Sequence, residues 1–272
     1  MACDTACDTA RGTGRGTGRG TALGAACVLL AALAGAACGA RRSVVADVVP
    51  VRVAPTEDPL LDVARWDPRI RVRPVYATPD NFVGEALYPV PRVLLRRSLL
   101  VRLSRVADAL QAEGFGLLVY DGYRPWAVTK RMWDLVGDPD FVADPRRGSR
   151  HNRGMAVDVT LVDLAGRALP MPTSFDAFLP EAAAAAEVPP PGRRNRDRLI
   201  AAMRAEGFEV LASEWWHFDA EGWRERDVLD VALPDVPTLS DAEATRAAFV
   251  GVSAGAGQMS AGAGQLSAGA RQ

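Results

Sequence analysis

Apolar positions recur at helical spacing through residues 98–114, SLLVRLSRVADALQAEG, where Leu99, Leu103, Val106 and Leu110 fall on one face. Ser98 is placed to cap the start of this helix and Gly114 to end it. FGLLVYD, residues 115–121, is a short apolar run that reads as a strand. PWAVTKRMWDLVG, residues 125–137, opens on Pro125, a favoured first helical position, and stops at Gly137. In MAVDVTLVD, residues 155–163, the period changes to two. Met155, Val157, Val159 and Leu161 share one face, and Ala156, Asp158 and Thr160 the other. RDRLIAAMRAEGF predicts a further helix with a glycine stop, followed by a strand through FEVLASEWWHFD. Helices and strands alternate without a regular βαβ rhythm. The expected class is therefore α+β, a small, mostly antiparallel sheet with flanking helices.

The two ends of the chain follow another pattern. Residues 1–40 begin with the repeats ACDTACDTA and RGTGRGTGRGT, which have too little apolar content to bury a core. The uncharged stretch TALGAACVLLAALAGAACGA, residues 21–40, follows arginines at 11, 15 and 19, as in an export signal. LAGAAC, ending at Cys38, is also similar to a lipoprotein signal, although Gly35 stands where a larger aliphatic residue is usual. The expectation is an exported protein, periplasmic or facing the cell wall, with membrane attachment through this segment or a lipidated Cys38. It would be cytoplasmic if the segment is not a signal. Residues 41–240 hold the expected domain, with a Pro- and Arg-punctuated lead-in over 41–72. The tail, 241–272, repeats small residues in a seven-residue unit with no amphipathic face and is expected to be disordered.

Charge and cysteine content narrow the chemistry. The net charge is −1, so no electrostatic case for a nucleic-acid partner exists. Lys130 is the only lysine. All four cysteines lie within the first 38 residues, so neither a disulfide framework nor a thiolate metal site belongs to the main domain. Any metal there is held by His, Asp and Glu.

The chain has two histidines, His151 in SRHNRGMAVDVTL and His217 in SEWWHFD. Singly, each reads as an ordinary packed histidine, and Asp158 as the partner of a nearby arginine. Together they make a set of nitrogen and oxygen donors of the kind that catalytic zinc takes from protein, with a fourth position left for water. Glu214, three residues before His217, is placed to act as a base beside such an ion. On a flat strand those two side chains point to opposite faces, so a bulge, turn or bend has to fall between them. In YDGYRP, Asp121-Gly122 reads as turn chemistry, and Arg124 sits at a strand-to-helix corner, where a guanidinium can stabilise an oxyanion or serve as a surface ion pair.

Four segments then resemble the zinc D-alanyl-D-alanine dipeptidases of the vancomycin-resistance type, relatives of D,D-carboxypeptidases. They are YATPDNFVG (76–84), YDGYRP (120–125), SRHNRGMAVDVTL (149–161) and EWWHF (214–218), with MPTSFD (171–176) as a weaker fifth. The resemblance implies one zinc ion per chain on the sheet face, ligated by His151, Asp158 and His217. It implies Glu214 as general base and acid and Arg124 as transition-state stabiliser. Tyr76 and Asp176 would meet the substrate's ammonium group, and Ser149 the peptide. The implied substrate is D-Ala-D-Ala or a short peptidoglycan peptide, in cell-wall turnover or glycopeptide resistance. Two alternatives stay open: a D,D- or L,D-carboxypeptidase acting on stem peptides, and a non-catalytic zinc-binding module. Asn152, Met155 and Pro79 depart from the family pattern without touching a ligand position. Residues 177–195 look unlike a compact element and would shape the rim of the pocket.

Overall fold

From Leu60 the chain forms β1 (Leu60–Asp62), a single turn α1 (Val63–Trp66), β2 (Arg71–Val72), β3 (Leu94–Arg96) and α2 (Arg97–Ala112). It continues through β4 (Phe115–Asp121), α3 (Trp126–Val136), β5 (Ala156–Asp163), α4 (Gly192–Ala205), β6 (Phe208–Val210) and β7 (His217–Ala220). This computed structural model describes residues 47–238. The export-signal segment with Cys38 and the repetitive tail fall outside the described residues. No helix among them is long and apolar enough to cross a membrane.

The class is α+β, as the mixed periodicities predict. Five strands form one sheet in the order β2-β4-β5-β7-β6, parallel between β2 and β4 and antiparallel elsewhere. β1 and β3 make a separate antiparallel pair. One face of the large sheet carries the core. Val157, Val159 and Leu161 of β5 cluster with Leu99, Leu103 and Leu110 of α2 and with Leu199 and Met203 of α4. Burying these aliphatic side chains is what fixes the register, because a one-residue slip would send them to the opposite face. The opposite face of β5 bears Ala156, Asp158 and Thr160 and is buried as well.

Local chemistry differs from expectation at several points. Ser98 does not cap α2 from the cap position; its backbone N–H and Oγ both donate to Asp58, 2.9 and 2.8 Å away, so a distant carboxylate serves the helix start. Pro125 stands one residue before the first turn of α3 rather than within it, while Gly137 ends that helix in the left-handed conformation. Asp121-Gly122 is not a turn: Asp121 ends β4, and the next four residues carry neither a turn nor a regular element before α3. The lead-in already holds β1, α1 and β2. The stretch 177–195 is ordered against the body, with Ala182 accepting from Trp215 N–H and Ala184 N–H donating to Ala212.

Gly154 joins the turn after His151 to β5 at φ +65°, and a methyl group there would lie 2.8 Å from Leu60 Cδ2. Both the left-handed backbone and the close wall require glycine. Gly154→Ala is expected to destabilise the domain by about 1–3 kcal/mol, read as a lower denaturation midpoint at unchanged slope.

Candidate active site

The sheet sets three polar residues in a row. Asp121 of β4 pairs with Asp158 of β5, and Asp158 pairs with His217 of β7. Between Val119 and Asp121 the register shifts by a bulge. Without it Asp121 would share the core face with Val119; the extra residue brings it to the face of Asp158. His151 arrives from the short 3-10 turn His151–Arg153 that precedes β5. Its Nε2 lies 3.1 Å from His217 Nδ1 and 3.4 Å from Asp158 Oδ2, and His217 Nδ1 lies 3.0 Å from Asp158 Oδ1.

The outer nitrogens of both rings decide what the inner ones present. His151 Nδ1 faces the carbonyl oxygen of Gly122 at 2.7 Å, and His217 Nε2 faces Asp219 Oδ1 at 3.0 Å. Carbonyl and carboxylate oxygens here only accept, so both outer nitrogens carry hydrogen. Both inner nitrogens then direct lone pairs at a common point beside the Asp158 carboxylate. Two lone pairs and an anion converging in a buried place need a cation. Zinc with bonds of about 2.0–2.1 Å in tetrahedral geometry separates its ligand atoms by about 3.3 Å. The two ring nitrogens are 3.1 Å apart, and each faces a different oxygen of Asp158, His217 Nδ1 at 3.0 Å from Oδ1 and His151 Nε2 at 3.4 Å from Oδ2, contacts close to that spacing. The residues fit zinc. The surroundings draw positive charge as well: burial opposes a charged His217, but the carboxylates of Asp158 and Asp219 outweigh it and raise its pKa, so the point where the lone pairs converge favours a cation, whether proton or metal. Burial likewise opposes the Asp158 anion, and the two imidazoles overcome that and hold its pKa below the usual carboxylate range.

Glu214 reaches the same point because residues 208–219 are not one strand. β6 and β7 form a hairpin whose connection, 211–216, turns the chain, with Leu211 N–H donating to His217 O and Glu214 N–H to Leu211 O. The turn supplies the bend the spacing demands, and Glu214 Oε2 lies 3.9 Å from His217 Nδ1. Burial is the chief cause raising the Glu214 pKa above its ordinary value; His217 lowers it and Asp158 adds to the rise.

Arg124 is buried in the connection between β4 and α3, with its guanidinium carbon 4.9 Å from the Tyr76 ring centroid. Its Nε and Nη2 donate to Asp121 Oδ2 at 3.1 and 2.8 Å, and Tyr88 Oη donates to the other oxygen at 2.6 Å. Burial works against its charge, and Asp121 outweighs it, so the pKa of Arg124 is raised. Nη1 is left for other partners. Tyr76 Oη donates to Asp176 Oδ2 at 2.9 Å. Asp176 has φ +55°, the one left-handed non-glycine among the described residues, a conformation that asparagine and aspartate tolerate best. Burial, then the Asp158 charge, push its pKa well up. Ser149 Oγ accepts the His151 N–H at 3.1 Å. All eight predicted residues line one cleft of about 590 Å3, and Phe178, from the stretch 177–195, lies on its wall.

Four supporting residues escaped the sequence reading. Asp121 looked like turn chemistry, yet it orients Arg124. Gly122 offers the carbonyl for His151, and a methyl group on it would meet Leu94 O at 2.5 Å. Asp219 is two residues past His217 on β7, a period-two signal that the aromatic surroundings obscured. Asn152, fully buried, accepts the Ser149 N–H and donates to Arg124 O and Thr129 Oγ1, tying the His151 turn to the Arg124 corner. Its sequence signal was only a departure from pattern.

Residues 56–234 match the M15 peptidase family, described as D-ala-D-ala dipeptidase. The chain is similar to the D-alanyl-D-alanine dipeptidase of Escherichia coli K12, 38% identical over 161 residues, which covers 59% of this chain and 83% of that one. The dipeptidase of Enterococcus faecium is 31% identical over 187 residues, covering 59% and 88%. The solved LD-carboxypeptidase LdcB aligns with 54% of this chain and 71% of its own at 19% identity and a TM-score of 0.34, a likeness too remote to bear on the activity.

Proposed function

The chain belongs to the M15 peptidases, the family described as D-ala-D-ala dipeptidase, and from that premise we propose that it is a zinc metallopeptidase hydrolysing D-Ala-D-Ala to two D-alanines. One observation carries the reading: a single cleft joins a three-donor metal site, a buried acid, a buried guanidinium and an aspartate–tyrosine pair. His151 Nε2, His217 Nδ1 and the Asp158 carboxylate would hold one zinc ion. Bound there, zinc polarises the scissile carbonyl and acidifies water.

The remaining roles fall to the protein. Gly122 and Asp219 keep the two imidazoles in the tautomers that leave their lone pairs inward. Glu214 takes a proton from the attacking water and delivers it to the amine nitrogen as the C–N bond breaks; its raised pKa suits both halves of that transfer. Arg124 Nη1 donates to the carbonyl oxygen as negative charge develops, while Asp121 fixes the guanidinium beforehand. Asp176 and Tyr76 receive the substrate's ammonium, and Ser149 donates its hydroxyl hydrogen to the peptide. A buried acceptor for a free amino group disfavours acylated peptides, whose amide leaves it without its charged partner.

The test is D-alanine release from D-Ala-D-Ala by the purified chain with zinc, beside N-acetyl-D-Ala-D-Ala and a stem-pentapeptide analogue. Preferential release from the acylated peptides would replace the dipeptidase reading with a carboxypeptidase. Asp176→Ala is expected to lower kcat/KM for the dipeptide about 10- to 100-fold, the worth of a charge-assisted hydrogen bond. An unchanged ratio of dipeptide to acylated-peptide cleavage in that variant would remove the ammonium role.

A further inference from the structure

The ammonium-binding pair lies on the β4 side of the site, where Tyr76 stacks under Arg124 and bonds Asp176. A dipeptide is a zwitterion, and its carboxylate needs a cation on the other side. We propose that Arg150 is that cation, binding the free α-carboxylate of the substrate and making the enzyme selective for peptides that end at the residue released. This rests on the peptidase reading above and extends it to the leaving-group side.

The geometry singles out Arg150 among the guanidinium groups of the cleft. It stands between Ser149 and His151 in the chain and lines the cleft with them. Its Nε lies 3.3 Å from Asp219 Oδ2 and its guanidinium carbon 5.0 Å from the Trp223 ring centroid. Asp219 belongs to β7, across β5 from the β4 corner that holds Arg124, so the two cations flank Asp158 from opposite sides of the sheet order. The same Asp219 bonds His217 Nε2 through its other oxygen. One carboxylate thereby registers the guanidinium to the metal-ligand ring. With Nε facing Asp219 and the guanidinium carbon over the indole, the two terminal nitrogens of Arg150 have no hydrogen bond to a described residue and offer the fork that grips a carboxylate.

The other arginines of the cleft are differently engaged. Arg124 is bound to Asp121 at the reacting centre. Arg153 Nη1 donates to the carbonyl oxygen of Arg226. Arg147 and Arg224 are exposed on the rim, where water screens them; Arg224 shares the Trp223 ring at 4.3 Å, so what sets Arg150 apart is its partial burial and its contact with Asp219. Arg150 already faces Asp219 through Nε, and a substrate carboxylate replaces water on its two terminal nitrogens with a second anionic partner, which a neutral carboxamide at the same place does not supply.

The experiment compares wild type, Arg150→Met, Arg150→Lys and the rim variant Arg224→Gln on D-Ala-D-Ala and on its C-terminal amide, with zinc content measured for each. Wild type is expected to prefer the free acid about 10- to 100-fold in kcat/KM. Arg150→Met is expected to raise KM for the free acid about 10- to 100-fold, leave kcat within about threefold, and lose the preference over the amide. Arg150→Lys keeps part of the preference, because it retains the charge without the fork. The proposal is overturned if Arg150→Met discriminates acid from amide as wild type does, or if Arg224→Gln erases the preference equally, which would mean a diffuse field. A wild type that releases no D-alanine from the dipeptide fails the dipeptidase reading instead. The acid-to-amide ratio is then read on the acylated peptide it cleaves, with the same two outcomes for Arg150.

Discussion

Glu214→Gln is expected to cut kcat for D-Ala-D-Ala hydrolysis by about 10^2- to 10^4-fold with zinc content unchanged. The amide has nearly the size of the carboxyl group, so the hairpin connection between β6 and β7 keeps its shape. What it loses is the ability to accept a proton at neutral pH. Glu214 stands apart from the three donors, with its nearest oxygen 3.9 Å from His217 Nδ1, so the substitution leaves the ligand set intact. The loss should appear in kcat and kcat/KM together, because the proton transfer belongs to the transition state and contributes little to ground-state binding. Steady-state kinetics and metal analysis on the same preparation check it. A variant that keeps both zinc and full turnover would assign the base to another group. Wild type and variant both inactive with zinc bound would revive the non-catalytic zinc module.

How much of this was legible in the sequence follows from what each signal depends on. The period-two run at 155–163 and the helical run at 98–114 depend only on neighbours along the chain, and both became the elements they predict, β5 and α2. The donor set was legible because the chain has only two histidines and no cysteine beyond residue 38, which leaves few ways to build a metal site. The capping of α2 by Asp58 was not legible, since the two partners are 40 residues apart and only the β1–β3 pairing brings them together. Asp121 failed for a similar reason. In isolation Asp-Gly is turn chemistry, and only the bulge opposite Asp158 and the hydroxyl of Tyr88 turn it into an anchor for Arg124. The Glu214–His217 spacing posed its own question correctly, and the answer, a hairpin in place of a continuous strand, lay in the pairing of Phe208 with Ala220.

Removing the metal ion is expected to abolish hydrolysis and to lower the melting temperature by roughly 10 °C, and Asp158→Ala is expected to make that temperature indifferent to chelator. The argument is one of linkage. A ligand present at about 1,000 times its dissociation constant stabilises the folded state by about 4 kcal/mol. Each 1 kcal/mol shifts melting by about 2–4 °C in a domain of this size. The charge distribution acts in the same direction: Asp121, Asp158 and Asp219 are all buried around two imidazoles whose inner lone pairs converge. Asp121 has Arg124, and Asp219 has Arg150 and a ring N–H, whereas Asp158 faces the two imidazoles of the metal site and would share the ion with them. Deleting its side chain removes one donor and the local demand for a cation together. The variant should therefore bind zinc weakly, show no activity, and melt at the same temperature with or without chelator, whereas the wild-type transition moves and returns when zinc is restored. Differential scanning calorimetry of both proteins across a zinc titration reads this directly. A wild-type melting temperature untouched by chelator, with activity also untouched, would mean that the two histidines and Asp158 converge for packing alone.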